Sequence, residues 1–385
     1  MGNNNIKLKY TILLQKKSNI QAGLAEEKNG QGNIPFFTSG EQIYFVDEAF
    51  AKECLVNGKN IFLSTGGIAS VKFWNGCTSY STDTFSLKSN KYFDSSFLYF
   101  LILGKIKYIN IFLFRGTGLK HLNKSEFLNL SIPFYSLPIQ TKIANYLDNK
   151  TSKIDRIMEL LKKKQELLKE YKQSLINETI EGKNPNCFIE NEERELIRKH
   201  ENYKNVKLKY LIDKSVVGSD APLLKITTNK TFENIYPILT NQTENFGIAG
   251  YVPYYDISKP CISISTRASI GNIFFHNYKF LSSGRIVCLF SSKNDIFYLK
   301  WALKNINWIF FSYGVAQLVI NENVILNLSI PFYSLPIQTK IANYLDLKSE
   351  IIKKELENIK QQIENFKHYK QSLINETIEN GGVNI

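Results

Sequence analysis

Two stretches of the chain place an apolar residue at every seventh position. These residues are Ile154, Leu161, Leu168 and Leu175 in the first stretch, and Ile352, Ile359, Phe366 and Leu373 in the second. A seven-residue apolar repeat is typical of helices that pack in a coiled coil. The pattern therefore predicts two long helices, over residues 152–181 and 349–379, with Ile157, Tyr171 and Tyr369 at intervening positions of the seam.

Polar residues interrupt this seam at Lys164, Glu355 and Gln362. They either fix the register of the two helices or lie where the seam is open to solvent. Upstream, Ser136-Leu-Pro138 predicts a helix start, because proline is favoured in a first turn. A short helix through Ile143, Ala144 and Leu147 is expected there. Residues 148–151 are expected to interrupt it before the long helix, which ends at Gly182.

The regions before the helical stretches predict a mixture of strands and helices. Short apolar or alternating runs bounded by Gly, Ser and Asn indicate strands at 61–63, 69–74, 261–264 and 285–290. Segments 97–103 and 296–308 suit helices. Residues 97–114 are strongly apolar, but their longest run free of glycine and charge is seven residues, too short to span a bilayer. This segment is predicted to be a buried helix followed by a buried strand, with no membrane contact.

The chain contains a long internal repeat. Residues 128–148 and 326–346 both read LNLSIPFYSLPIQTKIANYLD, and YKQSLINETIE occurs at 171–181 and at 369–379. Between these blocks only weak echoes survive: 63–65 with 264–266, 81–85 with 282–286, Gly116 with Gly314, and Asn123 with Asn321. Two copies of one scaffold that present different surfaces would suit the reading of two different targets. Drift after duplication, with recent gene conversion of the identical blocks, would give the same pattern.

The repeat sets the expected architecture. Pseudo-two-fold symmetry makes the two long helices antiparallel, and at ~1.5 Å per residue they form a rod of roughly 45 Å. The expected fold class is α+β, with two similar mixed α/β domains separated by an antiparallel two-helix coiled-coil spacer. The expected segments are a first domain at 1–137, a first spacer helix at 138–182, a linker at 183–204, a second domain at 205–335 and a second spacer helix at 336–385.

Charge and cysteine content narrow the classes of function. Lys and Arg number 48 against 35 Asp and Glu, a net charge of +13, which favours nucleic acid as a partner over anionic lipid, although solubility alone could also explain it. The five cysteines are scattered, which argues against a disulfide framework or a cysteine zinc site and fits a reduced, cytoplasmic location. The four histidines show no metal-ligand spacing, so no metal site is predicted.

In this order of parts the chain resembles the specificity subunits of type I restriction–modification enzymes. The resemblance rests on a variable region, an apolar strand ending in proline, a glutamine near a helix start, Ile-Ala, Leu-Asp and a long helix, all present twice. These residues are Pro133 and Pro331, Gln140 and Gln338, Ile143-Ala144 and Ile341-Ala342, and Leu147-Asp148 and Leu345-Asp346. Where the family commonly has an acidic residue before the glutamine, this chain has Ile139 and Ile337. The segment 116–121 also resembles the family, whereas 314–317 matches it loosely.

The resemblance implies a subunit that reads a split target in double-stranded DNA, with one target-recognition domain for each part. It also implies a scaffold for methyltransferase subunits, which restriction subunits can join. No catalytic site is predicted, since the chain has neither the Asn/Asp-Pro-Pro-Tyr/Phe tetrapeptide of amino-methyltransferases nor a phosphate loop. S-adenosylmethionine, Mg²⁺ and ATP are expected in the partner subunits.

Candidate DNA contacts follow from residue chemistry, because phosphates are bound by Lys and Arg and base edges by Arg, Asn, Gln, Ser and Thr. Trp74 is expected in the core. The candidates are Thr65, Lys72, Asn75, Tyr80, Lys120 and His121 in the first half, and Thr266, Arg267, Ser269, Asn272, Arg285 and Gln317 in the second.

Two other classes of protein are considered. One is a methyltransferase or fused restriction enzyme, against which the missing tetrapeptide argues. The other is a coiled-coil interaction protein that binds no DNA, such as a decayed orphan specificity subunit.

Overall fold

Both long helices are continuous from their first turn. In the computed structural model, which describes residues 5–184, 187, 205–219, 226–314 and 318–382, the first long helix spans Leu137–Ile180 and the second Leu335–Glu379. The predicted interruption at 148–151 is wrong. This segment contains no glycine or proline, and Leu147, Thr151 and Ile154 are all buried, so the buried stripe crosses it without a break. The predicted linker 183–204 lies outside the described residues apart from 183, 184 and 187.

The described chain divides into two compact units. Unit 1 is Met1–Lys162 with Lys360–Ile385, and unit 2 is Lys163–Ile359. Each unit therefore contains the first part of one long helix and the last part of the other. The unit boundaries thus fall inside both helices.

Within each unit the two helical parts run antiparallel. In unit 1, the Tyr135 hydroxyl donates to the Ile378 carbonyl at 2.7 Å, and Lys370 Nζ lies 2.6 Å from Asp155 Oδ2. In unit 2, the Tyr333 hydroxyl donates to the Ile180 carbonyl at 2.9 Å. Lys164 Nζ there lies 2.6 Å from Glu355 Oε1, with both side chains more than a third exposed. The polar seam residues Lys164 and Glu355 thus form an ion pair across the edge of the seam, where solvent screens it.

The buried stripe confirms the predicted seven-residue positions, since none of those eight residues is exposed. The intervening positions were predicted on the wrong face. Ile157 is 40% exposed, and Tyr171 and Tyr369 are 52% and 55% exposed. The half-buried residues are instead Met158, Gln165 and Lys172, which follow the alternating three- and four-residue spacing of a helix stripe.

Unit 1 is built around a four-stranded antiparallel sheet in the order β2-β8-β5-β6. A second sheet has the order β4-β3-β7, in which β3 and β7 are parallel, and β1 pairs with β11. The strands are β1 Asn5–Lys7, β2 Ile12–Leu14, β3 Ile34–Phe37, β4 Ile43–Val46, β5 Lys59–Ser64, β6 Val71–Asn75, β7 Ser79–Tyr80, β8 Thr84–Ser89, β9 Phe114–Arg115, β10 His121–Leu122 and β11 Ser131–Pro133. The shorter helices are Ala22–Glu27, Glu48–Ala51, Ser95–Gly104, Ile106–Tyr108 and Lys124–Leu128.

Unit 2 repeats the order of these sheets, while the β9–β10 pair of unit 1 corresponds there to a single bridge between Tyr313 and Val319. Its sheets have the orders β13-β19-β16-β17 and β15-β14-β18, and β12 pairs with β20. The strands are β12 Asn205–Lys207, β13 Lys214–Val217, β14 Tyr236–Leu239, β15 Ile248–Val252, β16 Cys261–Ser265, β17 Ile273–His276, β18 Leu281–Ser282, β19 Ile286–Phe290 and β20 Ser329–Pro331. Helices span Ile296–Lys304 and Glu322–Asn327. The prediction that the variable regions share a fold is confirmed.

A buried glutamine fastens each long helix to the domain that precedes it. Gln140 Oε1 accepts from the Asp94 backbone N–H at 2.9 Å, while its amide donates to the Tyr135 carbonyl at 2.8 Å. Asp94 in turn caps helix Ser95–Gly104 by accepting from two backbone N–H groups. Gln338 makes the same bonds to Asp295 and Tyr333 in unit 2. The paired glutamines of the repeat are therefore structural.

The apolar segment 97–114 lies only partly in the unit 1 core, because Tyr108, Ile111 and Phe112 are 48%, 66% and 55% exposed. Helix Ser95–Gly104 buries Phe97, Leu98 and Phe100 in that core. The strand predicted after it is wrong over most of its length, because Ile106–Tyr108 and Ile109–Leu113 are helical and only Phe114–Arg115 is extended. Among the described residues, no single helix has the length and apolarity to cross a membrane, although the two helical pieces of this segment, bent by 53°, meet the criterion as a pair.

The register of the sheets tests the predicted alignment of the halves. Gly116 and Gly314 both have positive φ, and Asn123 and Asn321 both cap a helix, as the alignment predicted. The alignment of 81–85 with 282–286 is wrong by one residue. In the two parallel ladders, Tyr80 pairs with the last residue of β3 and Ser282 pairs with the last residue of β14, so Tyr80, and not Ser81, corresponds to Ser282. The extra residue lies in the turn between β16 and β17.

Candidate nucleic-acid interface

Three separate segments of unit 1 meet at the turn that joins β5 to β6, residues 64–70. The Thr65 N–H donates to the Asp83 carbonyl at 2.8 Å, and the Thr65 carbonyl accepts from Leu122 N–H at 2.9 Å. Gly67 N–H donates to the Lys120 carbonyl at 2.9 Å. Gly67 has φ +77°, a left-handed conformation that glycine adopts without strain. Thr65, Lys120 and His121 are thereby brought together, as predicted.

These segments form a cleft of about 500 Å³. It is lined by Lys17, Ser39, Thr65, Gly66, Gly67, Thr82, Asp83, Leu119, His121, Leu122 and Lys124. Two lysines and a histidine thus line the same cleft as one carboxylate, that of Asp83. The hydroxyls of Ser39 and Ser81 donate to different oxygens of this carboxylate. The cleft therefore offers cationic donors at its wall and an oriented acceptor group inside.

The equivalent turn of unit 2, residues 265–272, has the same backbone bonds. Thr266 N–H donates to the Arg285 carbonyl at 2.9 Å, and Ile320 N–H donates to the Thr266 carbonyl at 2.9 Å. Arg267 and Arg285 are exposed, and Arg285 Nη1 donates to Asn241 Oδ1 at 3.4 Å. Ala268 adopts φ +59° at the position of Gly67, which is unusual for a non-glycine residue. The backbone is shared, whereas the side chains it presents differ.

Ser269 and Asn272 lie in this second turn, but their polar groups hold the turn together. The Ser269 carbonyl accepts from Ser265 Oγ and from Asn272 Nδ2. Thr266 is 6% exposed, so its side chain is largely inaccessible to a ligand, while its backbone makes the hydrogen bonds of the turn. Arg267 and Arg285 are therefore the predicted candidates whose side chains reach solvent here, and Gln317 lies outside the described residues.

Three predicted contacts of the first half are not among the residues that line the cleft. Lys72 Nζ donates to the carbonyls of Thr38 and Gly40, and burial lowers its pKa against the opposing influence of Asp83 and Glu41. Asn75 is exposed, but it pairs with Lys59 at the far end of the strand, about 16 Å from the turn at ~3.3 Å per residue.

Tyr80 is 1% exposed and its hydroxyl donates to the Lys16 carbonyl, so burial removes it from the candidates. Trp74 is partly buried and packs against a core cluster, with its ring tilted by 56° to that of Phe37, which agrees with its predicted core position.

Sequence reasoning missed several residues that the turns bring together, namely Lys17, Ser39, Asp83, Lys124 and Asn241. They come from five segments that are far apart along the chain. No local pattern marks them, because only the sheet pairing places them beside the turns. Among the described residues, no group of three or more His, Cys, Asp and Glu side chains could hold a metal ion.

One framework is thus built twice, and its two equivalent turns carry different charged side chains, which defines a duplicated protein with one variable turn in each unit. Residues 13–170 and 200–365 match the family model described as the type I restriction modification DNA specificity domain. The match covers most of the chain, and the chain belongs to this family of DNA-specificity subunits.

Individual relatives agree with this assignment. A Mycoplasma pneumoniae protein named as a type I specificity subunit is 28% identical over 93% of this chain and 94% of its own length. A second protein of that organism, named likewise, is 26% identical over 44% of this chain and 52% of its own length.

Solved structures share the fold. The chain matches a structure concerned with complex assembly and conformational transition of the type I restriction–modification system, with a TM-score of 0.70 and 14% identity over 98% of this chain and 97% of the other. A specificity subunit from Thermoanaerobacter tengcongensis matches with a TM-score of 0.51 and 14% identity over 97% and 96%.

Proposed function

We propose that each unit of this specificity subunit reads one part of a split target in double-stranded DNA. The observation that carries the proposal is the pair of equivalent turns. Their backbone bonds match, while the residues at two corresponding positions change from partly buried Gly66 and Asp83 in unit 1 to exposed Arg267 and Arg285 in unit 2. A repeated reader of a single sequence would need the same side chains twice, whereas readers of two sequences need different ones.

The chain supplies recognition and assembly, and partner subunits supply the chemistry. Methyltransferase subunits bind along the long helices and use S-adenosylmethionine, and restriction subunits that join the complex use ATP and Mg²⁺. The absence of the base-holding tetrapeptide and of a phosphate loop from the sequence supports this division. Turnover of S-adenosylmethionine or ATP that copurifies with the chain alone would contradict it.

Exchange of one variable region tests the split reading. Residues 206–325 are replaced by the matching region of a relative, and methylated sites are mapped in cells that also carry the methyltransferase subunit. One half of the target should change while the other is retained. The reciprocal replacement of residues 6–127 is the matched control and should change the opposite half. Alteration of both halves by either exchange, or of neither, would refute separate readers.

DNA binding itself is tested by an electrophoretic shift with random duplex, with and without the methyltransferase subunit. A DNA-reading subunit should shift duplex in the assembled complex, with an affinity that falls steeply as salt rises. A complex that assembles but shifts no duplex would favour an interaction protein that does not bind DNA.

A further inference from the structure

We propose that Asp83 and Arg285 are equivalent base-selecting residues of opposite charge, Asp83 for the amino group of a cytosine and Arg285 for a guanine. The inference rests on the proposed function, since it assumes that each unit reads DNA. Beyond the proposed function, it names the residue in each unit that selects a base and the base that this residue binds.

The equivalence of the two positions follows from the register of the strands. Phe37 pairs with Tyr80 as Leu239 pairs with Ser282, and each pair lies in a parallel ladder. Three residues after these strand partners come Asp83 and Arg285. The backbone carbonyl of each accepts a hydrogen bond from the N–H of the threonine in the turn, Thr65 or Thr266.

The side chains next to these positions are equivalent as well. Ser39 follows β3 as Asn241 follows β14, each two residues after the strand end. Ser39 donates to Asp83, and Asn241 accepts from Arg285. A neutral partner thus orients the charged group in both units, and the polarity of the hydrogen bond reverses together with the charge. This paired reversal is expected if the two groups face ligands of opposite hydrogen-bonding character.

The surroundings of Asp83 argue against a site for phosphate alone. Lys17, His121 and Lys124 line the cleft and suit phosphate oxygens, but a carboxylate among them repels phosphate. Its two oxygens have about four acceptor positions, and the Ser39 and Ser81 hydroxyls use one on each oxygen. The remaining positions suit a donor, and the base edge that pairs with Asp in the major groove is the cytosine amino group.

Arg285 presents the complementary chemistry. Its guanidinium has five donors, of which one makes a 3.4 Å bond to Asn241, and its side chain is exposed. Arginine pairs through two bonds with O6 and N7 of guanine. The neighbouring Arg267 remains available for a phosphate or a second base. The two units would thus read a C·G pair in opposite orientations.

The test converts both positions to amides, because Asn and Gln pair with adenine N6 and N7. Full-length Asp83→Asn and Arg285→Gln are assembled with the methyltransferase subunit, and bound sequences are selected from a random duplex library. Asp83→Asn should change one cytosine to adenine in one half of the target. Arg285→Gln should change one guanine to adenine in the other half. Discrimination at each changed position should shift by about 5-fold to about 100-fold.

Controls separate base selection from charge and folding. Glu41→Gln and Lys293→Gln make the same changes of charge at exposed residues outside the turns and should leave the selected sequence unaltered. Thermal unfolding checks each variant, and if Asp83→Asn does not fold, exposed Arg285 decides the matter.

The outcomes distinguish this inference from the proposed function. A wild-type split target that both variants leave unchanged, with affinity lowered evenly over all sequences, would overturn base selection and leave the proposed function standing. A wild-type complex that selects no split target would overturn both.

Discussion

Replacement of the buried glutamine of either repeat should destabilise one unit by disconnecting its long helix. Gln140 and Gln338 are 0% and 1% exposed and lie at equivalent positions. Methionine has a similar unbranched shape and helix propensity, so Gln140→Met removes the hydrogen bonds with little change of packing.

The magnitude follows from the groups that lose the glutamine as a hydrogen-bond partner. In Gln140→Met these are the Asp94 N–H and the carbonyls of Tyr135 and Tyr92. Tyr92 is 62% exposed, so water can satisfy its carbonyl, and two groups remain. At about 1–3 kcal/mol for each of these two groups, the loss should be roughly 2–6 kcal/mol. Gln338→Met leaves the Asp295 N–H, the Tyr333 carbonyl and Asn294 Oδ1, and should cost a similar amount.

Urea unfolding followed by far-ultraviolet circular dichroism measures the effect. Since the units can unfold in separate transitions, each variant should move the transition of its own unit. Gln173→Met is the matched control, because exposed Gln173 bonds only to Asn177 along the helix surface at 2.8 Å, and its change should stay within about 0.5 kcal/mol. If both buried variants unfold within 0.5 kcal/mol of the wild type, the role assigned to the glutamines is wrong.

Four further outcomes are expected. Ile359→Ala should lower the free energy of unfolding by about 2–5 kcal/mol, because Ile359 is 1% exposed. Ile157 is 40% exposed, so Ile157→Ala should lower it by less than about 1 kcal/mol. Equal losses in denaturant unfolding would contradict the observed seam. Burial lowers the pKa of His276 from 6.5 to about 4, so the unfolded chain binds a proton at a higher pH than the folded protein does. The free energy of unfolding should therefore be highest above pH 6.5 and fall by up to about 3 kcal/mol as the pH drops toward 4. His276→Gln should flatten this part of the pH–stability profile. Burial and the nearby Lys353 both lower the pKa of Lys172. In the other unit the equivalent pair is Lys370 and Asp155, which form an ion pair. Lys353→Glu should therefore replace a repulsion by an attraction and stabilise the protein by about 0.5–1 kcal/mol, and an unchanged melting temperature would count against this repulsion. Arg267→Ala should weaken duplex binding; a salt slope lower by about one ion at unchanged sequence preference would assign it to phosphate, and an altered preference at one position to a base.

The sequence alone determined the features that are periodic or duplicated. The identical blocks revealed two copies of one fold, and the seven-residue repeat placed eight residues on the buried side of the long helices. The order of motifs identified the family. A repeat within a helix and a duplication of the chain are both visible in the order of residues, so they can be recognised without knowing which distant segments are in contact.

Only the tertiary structure decided which side chains share a surface. Ile157 and Met158 are both apolar neighbours in a helix, and packing against the partner helix selected Met158 for the seam. Tyr80 and Asp83 lie three residues apart, yet the pairing of β7 with β3 buries the tyrosine and leaves the carboxylate in the cleft. Asp83 meets Ser39 and His121 because strand pairing closes long loops, and no pattern along the chain encodes those closures.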